Sequence, residues 1–167
     1  LAFSSISHLG WMTIIIIYNP KLTLLTFYLY CLMTATIFST LNTTKILKLS
    51  TMMTAWTKIP SLTATMMLAL LSLAGLPPLT GFLPKWLIIQ ELTKQEMALT
   101  ATVIALLSLL SLFFYLRLAY CATITLPPNS TNYMKLWQTS KSVNTTTTIL
   151  MTLTIMLLPL SPMTFTI

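Results

Sequence analysis

Lys85 and His8 are the two residues of this chain whose types and settings suit proton chemistry. Lys85 follows Gly75-Leu-Pro-Pro-Leu-Thr-Gly-Phe-Leu-Pro84 inside an otherwise apolar run. A lysine deprived of water can take up and release a proton, which an arginine cannot. The alternative is a lysine that snorkels to a membrane interface as an anchor. From these residues alone both readings stand. His8 sits among Ser4, Ser5 and Ser7, with Ser4 and Ser5 on its helix face at i−4 and i−3. Its imidazole could join a proton wire. A neutral histidine satisfied by serine hydroxyls or a neighbouring helix is the better-supported reading at this point. Glu91 and Glu96, the two acids, read as solvated charges at headgroup level. Arg117 reads as an interfacial anchor, or as a partner for a neighbouring subunit's acid.

The element that must hold Lys85 is a helix with an interruption. Met66-Met-Leu-Ala-Leu-Leu-Ser-Leu-Ala enters the stretch and Leu87-Ile-Ile leaves it. Pro77, Pro78 and Pro84 lack an amide proton, and their rings clash with the preceding turn. Gly75 and Gly81 add places where the backbone can turn. In lipid an unsatisfied backbone group costs several kcal/mol, so the loosened carbonyls must face protein or water. Length argues the same way. Ser61–Leu92 as one straight helix would run about 48 Å, against a hydrocarbon core of roughly 30 Å. A membrane helix broken at Gly75, Leu76, Pro77, Pro78, Gly81 and Pro84 is the expectation. Such broken helices are a feature of ion-coupled membrane proteins.

Of the 167 residues, 56% are hydrophobic and 7% charged, and the mean hydropathy is +0.85. Soluble domains carry about a quarter charged residues, so the chain reads as an integral membrane protein. The net charge of +7 comes from nine Lys and Arg scattered among apolar spans, which argues against nucleic acid as a partner. Cys31 and Cys121 read as small buried thiols. With no CxxC, GxGxxG or GxxxxGK[ST], no metal, flavin, nicotinamide or nucleotide site is expected in this chain.

Five apolar segments are expected to cross the membrane, at about 2–18, 22–41, 61–92 (broken), 97–120 and 145–162. Asn19-Pro20-Lys21 separates the first two. Ile46, Leu47, Leu49, Met52, Met53 and Trp56 recur at helical spacing in the connector 42–60, which suggests a short interfacial helix. Lys45, Lys48, Lys58, Lys135 and Lys141 gather on one side, Lys21 and Lys94 on the other. The excess of positive charge places the first group in the matrix or cytoplasm. Starting at Leu1 within an apolar span, the chain reads as the later part of a longer subunit.

Gly75-Leu-Pro-Pro-Leu-Thr-Gly-Phe with Lys85-Trp86 resembles the broken helix of the antiporter-like proton-pumping membrane subunits of respiratory complex I. With Ile88-Ile-Gln-Glu91 the stretch is most similar to the mitochondrially encoded subunit 2 branch of that family. Ser4-Ser-Ile-Ser-His-Leu-Gly-Trp11 and Tyr115-Leu-Arg117-Leu-Ala-Tyr120 extend the likeness. The resemblance implies an all-α, polytopic membrane helical bundle forming the C-terminal part of such a subunit, residues 1–167. It implies a titrating residue at Lys85, which favours the relay over the anchor. It implies part of an NADH:ubiquinone reductase that translocates protons, with no redox site in this chain. NADH, flavin, iron–sulfur clusters and ubiquinone would belong to other subunits. The partners would be neighbouring antiporter-like and other membrane subunits and lipid, in the mitochondrial inner membrane. A subunit of a cation/proton antiporter complex and a structural assembly subunit are the rival readings.

Overall fold

The computed structural model describes residues 2–46, 48, 51–52, 60–124 and 145–165, with side chains of the last helix up to Ile155. Among these residues the regular structure is helical: α1 (Ala2–Ile15), α2 (Pro20–Thr44), α3 (Pro60–Ala74), α4 (Phe82–Lys94), α5 (Ala98–Ile124) and α6 (Thr145–Phe165). α2 and α5, of 25 and 27 residues, are long and apolar enough to cross a bilayer, while α3 is a shorter apolar helix.

Residues 19–21 end one helix and start the next. Asn19 has extended backbone and caps α2, its Oδ1 accepting from the Leu22 amide at 3.3 Å. Pro20 takes the first helical position, where its missing N–H has no partner to lose. This start pulls the chain out of helix early, so α1 stops at Ile15 instead of Tyr18. At its other end α2 runs to Thr44, past the expected Leu41, and Lys45 closes it in the left-handed region at φ 53°. α6 continues through Pro159 and Pro162 to Phe165, beyond the expected end. Prolines are tolerated inside membrane helices where other donors reach the carbonyls they loosen. The Thr80 hydroxyl ties the break to this helix, donating to the Thr154 carbonyl at 2.8 Å, one residue before the Ile155 carbonyl that Pro159 leaves without an amide donor.

α3 lies at the centre, packed against α2, α5 and α6. Met33, Ile37, Met66, Leu70, Leu73, Tyr115 and Met151 form the larger core cluster. A second cluster, of Ile15, Ile88, Leu92 and Ala101, joins α1, α4 and α5. Met52, from the stretch expected to form a short interfacial helix, is buried within the first cluster. Leu47, Leu49, Met53, Trp56 and the loop 125–144 lie outside the described residues. α5 turns much of its surface outward, with Leu99, Leu106, Leu110 and Phe113 exposed.

Threonine and serine hydroxyls are folded back on their own helices throughout. Thr26, Thr36, Thr40, Thr100, Thr102, Thr148, Thr152 and Thr154 each donate to the carbonyl three residues earlier. That satisfies a polar side chain where no water is at hand.

Candidate functional site

The interruption between α3 and α4 builds the site. In a continuous helix the amides of residues 77 and 78 would donate to the carbonyls of Leu73 and Ala74. Prolines occupy both positions, so neither donor exists. Gly75 takes φ 84°, a region open to glycine, and its amide turns back to Ser72 O at 3.0 Å. The chain then re-forms short turns, Leu79 N to Leu76 O at 2.9 Å and Phe82 N to Leu79 O at 3.1 Å. Gly81 caps α4 with ordinary helical angles, so conformation is not its reason. A β-carbon there would overlap the Ser72 carbonyl, and only glycine lets the returning chain pass so close. Pro84 falls in the first turn of α4, outside the unwound stretch, among the amides that lack an intrahelical acceptor in any helix.

Lys85 reaches back one element to the gap the prolines leave. Its Nζ donates to the Ala74 carbonyl at 2.8 Å, replacing the amide donor lost at Pro78. A β-carbon on Gly75 would come within 3.0 Å of the lysine's Cδ and Nζ, so the glycine also clears the path of that side chain. Lys85 makes no ion pair among the described residues, where Lys94–Glu91 is the pair found.

Lys85 and His8, far apart in sequence, face one cavity of about 250 Å³. Its walls are α1, through Ser4, Ser7, His8 and Trp11, and α5, through Ser108, Ser111 and Tyr115. These residues fall at helical spacing, so each helix turns one polar stripe towards the other. His8 and Lys85 are close enough to interact electrostatically. The His8 ring also stacks on Tyr30 of α2, centroids 4.9 Å apart and tilted by 34°. Ser5 and Ser7 donate their hydroxyl protons to the carbonyls of Ala2 and Ser4, at 2.6 and 2.8 Å.

Arg117 and Glu96 are exposed and lie outside the cavity. Glu91 pairs with Lys94 at 3.4 Å. Three residues of the cavity, Ser108, Ser111 and Tyr115, escaped the sequence reading of the site. Their signal was present as polar positions at i, i+3 and i+7 within a leucine-rich helix.

Residues 1–111 match the model of a transmembrane family described as NADH:quinone oxidoreductase/Mrp antiporter, and residues 112–165 match that of the NADH dehydrogenase subunit 2 C-terminus. The chain is 76% identical over 163 residues to the NADH-ubiquinone oxidoreductase chain 2 of Struthio camelus, covering 98% of this chain and 47% of that one. It is 70% identical over 166 residues to the protein of the same name from Gallus gallus, covering 99% and 48%. The chain thus spans about half the length of the curated relatives it matches.

Proposed function

The chain belongs to the NADH:quinone oxidoreductase/Mrp antiporter membrane family, and from that premise we propose that it serves proton translocation in respiratory complex I. In this reading it is part of a multi-pass subunit of the mitochondrial inner membrane. It crosses the membrane five times, with α3 and α4 as two halves of one crossing. Electrons pass from NADH to ubiquinone through flavin and iron–sulfur groups of other subunits. Neighbouring membrane subunits and lipid cover the outward face of α5. The five-lysine side, with Lys45 and the loop 125–144, faces the matrix, and Lys94 faces the intermembrane space.

The observation that carries the reading is Lys85 at the break, sharing a cavity with His8 and lacking an acidic partner among the described residues. Water entering that cavity would bring protons to Nζ. The ammonium form would pass one on and become an amine, still able to hold the Ala74 carbonyl through a remaining N–H. His8 offers a second acceptor in the same space.

One observation favours a plainer role. By donating to the Ala74 carbonyl, Lys85 also caps a broken helix, which a permanently charged group could do as well. Substitution separates the two roles, because arginine keeps the charge and donors but holds its proton. With Lys85→Arg and Lys85→Met introduced into the whole complex in vesicles, a relay predicts loss of proton translocation in both. The expected fall is about tenfold, or roughly 1.4 kcal/mol in the coupled step. Full coupled turnover in an assembled arginine variant would overturn the relay. Copurification with flavin and iron–sulfur subunits separates complex I from a cation/proton antiporter complex.

A further inference from the structure

Arg117 is a charge for which the cavity has no use. It stands exposed on the outward side of α5 and belongs to no ion pair among the described residues. At 1.5 Å per residue α5 is about 40 Å long, the thickness of a bilayer with its headgroup layers. Arg117 then lies about 10 Å from the Ile124 end, near the boundary between hydrocarbon and headgroups, on the side of the loop 125–144. A guanidinium at that depth is costly unless an anion meets it.

The neighbours of Arg117 on its helix face point to the kind of anion. Tyr120 is exposed at i+3, one turn nearer the helix end, where an amphipathic ring sits at headgroup level. Phe113, Leu110 and Leu106 continue the same stripe in the other direction, all exposed. The face is an apolar track that ends in two hydrogen-bond donors, which matches an acyl chain and its phosphate. A neighbouring helix fits it less well, because helices approach closely in membranes through small residues. On α5 those residues, Ala101, Ala105, Ser108, Ser111, Ala119 and Ala122, are buried or half-buried against the bundle. Between Leu106 and Tyr120 each exposed residue is large.

We propose that Arg117 and Tyr120 bind the phosphate of a phospholipid in the leaflet on that side, with an acyl chain lying along Phe113, Leu110 and Leu106. The long arm of the arginine lets its head reach the interface while the stem stays in the apolar layer. Its planar fork can hold two phosphate oxygens at once, and the Tyr120 hydroxyl can donate to the same group. The site depends on α5 crossing the membrane, and not on the proton relay.

A density map of the whole complex in nanodiscs of one defined phospholipid tests this. The expected result is a phosphate within hydrogen-bond distance of the Arg117 guanidinium and the Tyr120 hydroxyl. At limiting phospholipid, occupancy of that position should fall about tenfold in Arg117→Gln, as the loss of a charge-assisted hydrogen bond requires, and largely return in Arg117→Lys. Nanodiscs of a diacyl glycolipid without phosphate should leave Arg117 without that partner. Equal occupancy in Arg117→Gln would overturn the proposal. A carboxylate against Arg117, from a neighbouring subunit or another part of this one, would overturn it while leaving the crossing by α5 intact. Arg117 in bulk water beyond the bilayer would overturn both. If the glutamine variant fails to assemble, the map of the unaltered complex decides alone between these outcomes.

Discussion

Two interruptions divide the middle of this chain, and each is served by a lysine. At the first, between α3 and α4, Leu79, Thr80 and Gly81 are buried, and Lys85 holds a backbone carbonyl at 2.8 Å. At the second, between α4 and α5, Gln95, Glu96 and Met97 are exposed, and Lys94 meets the carboxylate of Glu91 at 3.4 Å. The second turn closes with its own amides, Gln95 N to Glu91 O and Met97 N to Leu92 O, and it contains no proline. The first cannot, because Pro77 and Pro78 removed the donors. The same side chain is therefore a substitute backbone donor in one place and a solvated charge in the other. What differs is whether the chain left a carbonyl open where water is scarce.

The sharpest way to break that contrast is to remove the room the first interruption needs. Gly81→Ala would drive a β-carbon into the Ser72 carbonyl, a backbone atom that cannot swing aside. Overpacking of this kind costs typically 1–3 kcal/mol, and the rigid neighbour puts the expected cost at about the top of that range. The amount of assembled subunit in membranes and the melting temperature of the complex should both fall. Gly10→Ala, where a β-carbon would meet nothing within 4 Å, is the control and should assemble normally. If Gly81→Ala assembled equally well, the close approach at the break would not be needed.

Much of the first interruption was legible in sequence, because proline and glycine act locally. Pro77, Pro78 and Gly75 could be placed in a break from their missing amides and free φ alone. Pro84 could not be separated from them, since sequence does not say whether a proline ends one helix or opens the next. Helix ends at Ile15 and Phe165 were misjudged for the same reason: Asn19-Pro20 is a start signal, and Pro162 lies within its helix. The cavity was less legible. Lys85 and His8 were each singled out, but their meeting depends on how α1 and α4 pack. Tyr115 stood in a patch that extends the family likeness but was not assigned to the site, because α5 is apolar around most of its circumference and its one polar stripe is faint. Tyr30 beneath His8 is likewise a product of packing between α1 and α2.

A smaller effect is expected from restoring the missing donors. In a Pro77→Ala/Pro78→Ala double variant, residue 78 regains an amide that can compete with Lys85 for the Ala74 carbonyl. Gly75 remains at positive φ, so the interruption itself persists and assembly should survive. The grip of the break on Lys85 weakens, and translocation per electron should drop by about twofold, less than 1 kcal/mol. Vesicle measurements of proton uptake against quinone reduction would report it. Unchanged coupling would mean that the lysine does not depend on the open carbonyl.

The second interruption should yield almost nothing, and that is the outcome that sharpens the comparison most. Lys94 is 62% exposed and pairs with a Glu91 that is 23% exposed. Exposed pairs of this type contribute about 0–1 kcal/mol and are screened by salt. Lys94→Ala should therefore change the melting temperature slightly, and less still at high ionic strength. Arginine should replace Lys94 without loss, because a solvated charge need not release its proton. Proton translocation per electron should match the unaltered complex in both variants. A deficit in Lys94→Arg that resembled the deficit in Lys85→Arg would place both lysines on one path, and the division between a half-buried donor and a surface charge would fail.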